Sequence, residues 1–150
     1  MGKIYAFVIM LPLAAMMLLR GVTFFEYDTK TRYITDYINM TAYKVKLTGE
    51  LTQDDYNELK SKLNTIARFN DSGIILKKAK YMADGSIGNV QAYTIGEKLI
   101  KGDLFMIYVK SSDVSNFSKA SNFGVSQDDG KNLYYKAKAV VRIEKYDSGQ

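Results

Sequence analysis

The sequence predicts an α+β fold: a long N-terminal hydrophobic α-helix, a second short helix, then an antiparallel sheet of about four strands. Three observations predict it. Ile4 to Leu19 is continuously apolar, Tyr27 to Leu47 holds neither Gly nor Pro, and nearly everything beyond Gly73 is patterned as strands and turns. Helices first and strands afterwards is the element order of α+β domains.

The first element reads as a membrane helix. A helix needs about 20 residues to cross a bilayer, and the apolar run reaches Phe25 with Arg20 as its one charged interruption. Arg20 lies near the end of the run, where a long side chain can reach the interface. Pro12 removes one helical hydrogen bond, which transmembrane helices tolerate. A cleaved secretory signal is the rival. Its basic leader would be thin, Met1-Gly2-Lys3, and no small-x-small site follows Leu19. The expectation is an uncleaved or minimally trimmed anchor, N-inside and C-outside on the strength of Lys3. Residues 1–25 then form a hydrophobic membrane and assembly segment. Its packing residues are Ile4, Phe7, Val8, Leu11, Pro12, Ala15, Leu18, Leu19 and Phe24. Residues 26–150 form an extracellular α+β domain that includes the helix continuation 26–48.

That continuation carries apolar residues at Ile34, Tyr37, Ile38, Met40 or Thr41, and Val45, which is helical spacing. Gly49 is a natural stop. A helix from Ile4 to Thr48 would be about 65–70 Å long, too long for a bilayer alone. It is expected to be half anchor and half spine, with Tyr27, Tyr33, Tyr37 and Tyr43 forming an amphipathic face on the sheet. A second helix starts at the N-cap Thr52, with Asp55 placed to reach back and Leu51 and Tyr56 at the hydrophobic-staple positions. Tyr56, Leu59, Leu63 and Ile66 form its apolar face, and Asn70 to Gly73 ends it.

Strands are expected at Ile74 to Met82, Val90 to Ile95, Leu104 to Val109 and Leu133 to Ile143. Ala83 to Ser86 is a turn. Leu104 to Val109 is the most β-prone and is expected to be central. In the last strand Leu133, Tyr135, Ala137, Ala139, Val141 and Ile143 alternate with polar residues, the mark of a half-buried strand. Ser111 to Asn132 reads as a long polar loop.

Composition excludes more than it selects. The chain has 150 residues, a net charge of +5, 12 tyrosines, and no Cys or His. Without Cys there is no disulfide framework or thiolate metal site, and without His the commonest general base and zinc ligand are missing. No catalytic residue, metal site or cofactor is expected, and an enzyme is disfavoured. Lys77, Lys78, Lys80, Lys136 and Lys138 read as solvated sheet surface, so no nucleic-acid partner is expected. Asp71-Ser72-Gly73 and Asp128-Asp129-Gly130 read as turns rather than calcium loops. Asn39, Asn70 and Asn116 begin glycosylation sequons, Asn116 in the most accessible context.

Leu11-Pro12-Leu13 within the apolar run, Gly21-Val22 near its end, Phe25-Glu26-Tyr27 at its exit, and the helical stretches to Gly49 and from Thr52 to Leu63 carry a resemblance. Over about its first 65 residues the chain resembles the type IV pilin superfamily. The likeness is greatest to TadE-like pseudopilins of tight-adherence pili and to related single-anchor proteins of Gram-positive anaerobes. It departs from the family in one respect: the position five residues after Gly2 is Phe7, where pilins carry a Glu. The resemblance implies a homo-oligomeric filament of many copies, drawn from the membrane by pilus- or secretion-type assembly machinery. The alternative is a minor pseudopilin or anchored accessory protein of a secretion or conjugation machine. If the helices bundle, Arg20 needs an acidic partner, and Glu26 or Asp28 of a neighbouring copy is the first candidate.

Overall fold

The computed structural model describes residues 2–121 and 132–145. Helix α1 spans Gly2–Thr48 and α2 spans Gln53–Asn64. A 3₁₀ turn, Asp71–Gly73, leads into strand β1, Ile74–Tyr81. Strands β2 (Ile87–Ala92) and β3 (Leu104–Val114), helix α3 (Asn116–Ser121) and strand β4 (Tyr134–Arg142) follow. The four strands form one antiparallel sheet in the order β2-β1-β3-β4. The fold is α+β, a long helix with a sheet packed on its second half.

Helix α1 runs unbroken through Pro12. It also absorbs several threonines, which usually compete with helix geometry. Thr23, Thr31, Thr35, Thr41 and Thr48 each return their hydroxyl to the carbonyl four residues back, so no polar group on them goes unmet. The helix ends as the glycine signal requires. Gly49 takes φ 79° and its N–H donates to the Val45 carbonyl at 2.7 Å, a left-handed cap.

The core forms where the second half of α1 meets the inner face of the sheet. Ile34, Ile38, Ala42 and Val45 on α1, Leu59 and Leu63 on α2, and Phe105, Ile107 and Val109 on β3 are all buried there. The predicted spine is right about Ile34, Ile38 and Val45, but Met40 is 63% exposed and the buried neighbour is Ala42. Ala42 falls one turn from both Ile38 and Val45, on the same buried face of the helix. The tyrosines also divide. Tyr27 and Tyr37 pack against the core, while Tyr33 and Tyr43 face outward, because six residues turn the helix by about 240°.

Helix α2 starts as its sequence prescribes. Thr52 Oγ1 accepts from the Asp55 N–H and Asp55 reaches back to the Thr52 N–H. Asp55 also meets Lys44 of α1. Burial pushes the Asp55 carboxyl up, but Lys44 and the Thr52 donors outweigh it and hold it below its ordinary value. Thr52→Ala is expected to lower stability by about 1 kcal/mol, read as a lower urea midpoint at constant slope. Thr52→Ser is expected to restore most of it.

The β1–β2 hairpin closes on the predicted turn, with Met82 N–H donating to the Ser86 carbonyl at 2.8 Å and Gly85 at φ 80°. Strand β2 begins at Ile87 rather than Val90 and is largely exposed. It is an edge strand with little apolar contact to fix its register, so periodicity alone misplaces it. Residues 93–103 then wrap the far end of α1. Leu99 N–H reaches the Gly49 carbonyl at 2.7 Å, and buried Tyr93 accepts from the Leu51 N–H at 2.9 Å and donates to the Glu97 carbonyl at 2.6 Å.

Strand β3 is central, as expected, but runs on to Val114. The long polar loop therefore begins later than its composition predicts, and part of it is helix α3. Ser115 supplies the reason: its Oγ accepts from the Ser118 N–H at 3.2 Å, an N-cap. Asp128 to Gly130 lie outside the described residues. In β4 the predicted alternation stands from Tyr135 to Ile143, whereas Leu133 is 42% exposed.

Candidate membrane and assembly segment

Among the described residues, the side chains of α1 from Ile4 to Leu19 are all exposed. Ile4, Phe7, Val8, Leu11, Leu18 and Leu19 are each more than half exposed, and Pro12 and Ala15 are exposed as well. Exposure is not limited to one face, since Ile9, Met10 and Met17 on other sides are equally open. A helix apolar all round requires an apolar surrounding. By length and composition it is the one candidate for spanning a membrane among the described residues.

The apolar surface does not end with that half. Leu18, Val22, Phe25, Tyr33, Met40, Tyr43 and Leu47 are exposed large apolar side chains. At about 100° per residue they fall within a strip about 80° wide. The strip lies opposite the face that buries Ile34, Ile38 and Val45. The same strip also carries Thr29 and exposed Asp36, so the apolar side chains along the back of the spine are interrupted by polar ones.

At the exit from the bare half, α1 meets the sheet and α3. Phe24 is 55% exposed, yet its ring meets Phe117 of α3 edge-on at 5.3 Å. Tyr27 contacts Phe117 at 6.2 Å and stacks on Tyr135 of β4 at 5.5 Å. The carboxylates proposed from sequence have partners within the chain. Glu26 pairs with Lys30 at 2.6 Å and accepts from Asn116 Nδ2 at 3.0 Å, and Asp28 pairs with Arg32 at 3.0 Å. Both ion pairs follow i, i+4 spacing. The Asn116 amide is therefore engaged by Glu26 at the start of α3.

The hydrogen bond from Lys30 lowers the Glu26 carboxyl below its ordinary value, against a smaller opposing effect of burial, and the same bond raises Lys30. A depressed carboxyl contributes stability above its unfolded pKa, near 4.3, and loses it as pH falls through the folded value. The wild-type chain is therefore expected to lose stability more steeply below about pH 4.3 than Glu26→Gln. Thermal midpoints measured from neutral to acid pH check this, and parallel profiles would refute it.

The lysines split by face. Lys78 meets Glu97, whereas Lys136 pairs across the strands with Lys110 and Lys138 with Tyr108, with Lys110 lying over the Tyr134 ring at 4.4 Å. Among the described residues no group of three or more Asp, Glu, His or Cys could hold a metal. Sequence reasoning missed Phe117 and α3. The signal available was Ser115 three residues before Ser118, easily lost within a Ser- and Asn-rich stretch.

No protein family, curated protein or solved structure matches this chain.

Proposed function

We propose that this chain is the structural subunit of a pilus-like extracellular filament, held in the membrane by residues 4–25 and assembled by bundling of those helices. What supports the reading most is the continuity of α1. From Ile4 to Leu19 it is apolar and exposed among the described residues, and its second half is the spine of the domain core. Copies leaving a membrane could exchange lipid for one another around the first half without refolding the domain. Exposed Tyr33, Met40, Tyr43 and Leu47, on the same side of α1 as Leu18 and Phe25, offer further apolar contacts past the membrane segment, interrupted by Asp36. Each copy then presents different faces to its two neighbours, and such contacts grow into an open filament when the rotation between copies does not close a ring.

In this assembly Glu26 would exchange Lys30 for Arg20 of a neighbouring copy. Reversal of either charge, Arg20→Glu or Glu26→Arg, should then impair assembly and the double reversal should restore it. Negative-stain microscopy of material sheared from the cell surface tests the reading directly. Regular fibres composed mainly of this chain support it. Recovery only as membrane-bound monomer would overturn it in favour of an anchored accessory protein.

A further inference from the structure

We infer that helix α3 lies in the phospholipid headgroup layer of the membrane that holds α1, so that the domain stands on the membrane surface through Phe117 and Lys119. The inference rests on the membrane-spanning part of the reading above and not on filament formation.

The argument starts from height along α1. A hydrocarbon layer of about 30 Å takes up about 20 helical residues. Placed on residues 4–23, it puts Phe24 at its edge and Tyr27 about 5–6 Å above, where the headgroup layer of about 5–8 Å begins and ends. Phe117 packs on both rings, at 5.3 Å and 6.2 Å. A segment some ninety residues away in sequence is thus held at the membrane boundary. The residues at that level have the composition of an interface. Phe24, Phe117, Tyr27 and Tyr135 form one chain of ring contacts, and rings with polar tips are enriched where hydrocarbon gives way to water. Lys119 is exposed on α3 and suited to lipid phosphates.

The attachment is also built to last. Asn116 Nδ2 donates to Glu26 of α1, and Ser118 Oγ accepts from the Leu133 N–H at 3.0 Å, so α3 is tied to the spine on one side and to the approach to β4 on the other. Headgroup contact at α3 would therefore fix the tilt of the whole domain.

The chain has no Trp and no Cys, so single reporters need no background removal. Three full-length variants, Phe117→Trp, Leu13→Trp and Tyr81→Trp, are placed in phosphatidylcholine–phosphatidylglycerol vesicles. The quenching lipids carry a nitroxide either near the headgroup or at the chain end. Tyr81 is the distal control, at the end of β1 where it meets Arg142. The expected result is blue-shifted Phe117→Trp emission, lost chiefly to the shallow nitroxide. Leu13→Trp should be lost chiefly to the deep one, and Tyr81→Trp should be unaffected by either. Lys119→Cys with an environment-sensitive dye repeats the reading at an exposed position if the Trp variant folds poorly. Quenched Leu13→Trp with unquenched reporters at both 117 and 119 overturns the inference alone. Unquenched Leu13→Trp overturns the spanning reading and the inference with it.

Discussion

Phe105→Ala is expected to remove about 3–5 kcal/mol of stability. Phe105 is fully buried on the central strand, and the ring of Tyr93 meets it edge-on at 5.0 Å. Truncation removes the burial of a whole aromatic ring and leaves a cavity between sheet and spine. It also loosens Tyr93, whose hydroxyl accepts from the Leu51 N–H at the α1–α2 corner and donates to the Glu97 carbonyl. Domains of this size are stable by about 5–15 kcal/mol, so about a fifth or more of the total is at stake. Urea unfolding of the chain in detergent should show the midpoint fall at constant slope. Met40→Ala, on the exposed back of α1, is the matched control and should shift stability by no more than about 0.5 kcal/mol. Equal losses from the two would mean that the sheet does not pack on the face of α1 that bears Ile34 and Ile38.

That contrast also marks how far the fold is legible in the sequence. Wherever one residue type has one conformational use, the reading holds: Gly49 at the helix end, Thr52 and Asp55 at the start of α2, and the turn at Gly85. Strong alternation places β4 as well. What escapes depends on partners far away in the chain. Ala42 is too small to register in a hydrophobic pattern, yet it is fully buried beside Ile38 and Val45. Strand β2 has little buried face to reveal it. Helix α3 is six residues long and has no apolar face of its own beyond Phe117, whose place is set by Phe24 and Tyr27 about ninety positions earlier. For the candidate segment, apolar composition is legible at once. The i, i+4 spacing of Glu26 with Lys30 and of Asp28 with Arg32 is present in the sequence, but both carboxylates are read there as candidate partners for Arg20 of a neighbouring copy. The contact between Glu26 and Asn116 is not legible, since nothing local connects them.

Leu11→Arg should separate the two halves of α1, abolishing membrane insertion while leaving the domain's thermal midpoint unchanged. Among residues 4–19, eight are Leu, Ile, Phe or Val. At about −0.3 to −0.6 kcal/mol each for insertion, they supply on the order of −2.5 to −5 kcal/mol. One Arg near the middle costs about 2.5–3.5 kcal/mol, and the lost Leu adds a few tenths. Together these cancel most of the driving force, and Pro12 beside the site adds nothing to it. Arg20 escapes the same cost because it lies near the end of the run, where its side chain can reach the interface. The chain should pass from the carbonate-resistant membrane fraction to the soluble or aggregated one. The ratio of inserted to free chain should fall by about a hundredfold to a thousandfold. The melting curve should not move, because Leu11 is 59% exposed and, among the described residues, the first of α1 to pack against the core is Tyr27, sixteen positions further on. If Leu11→Arg remained fully inserted, residues 4–25 would not be the spanning segment. If it lowered the melting temperature, the bare half of α1 would be contributing to the core. Either result would overturn the division of one helix into a lipid-facing half and a domain-facing half, on which the proposed assembly depends.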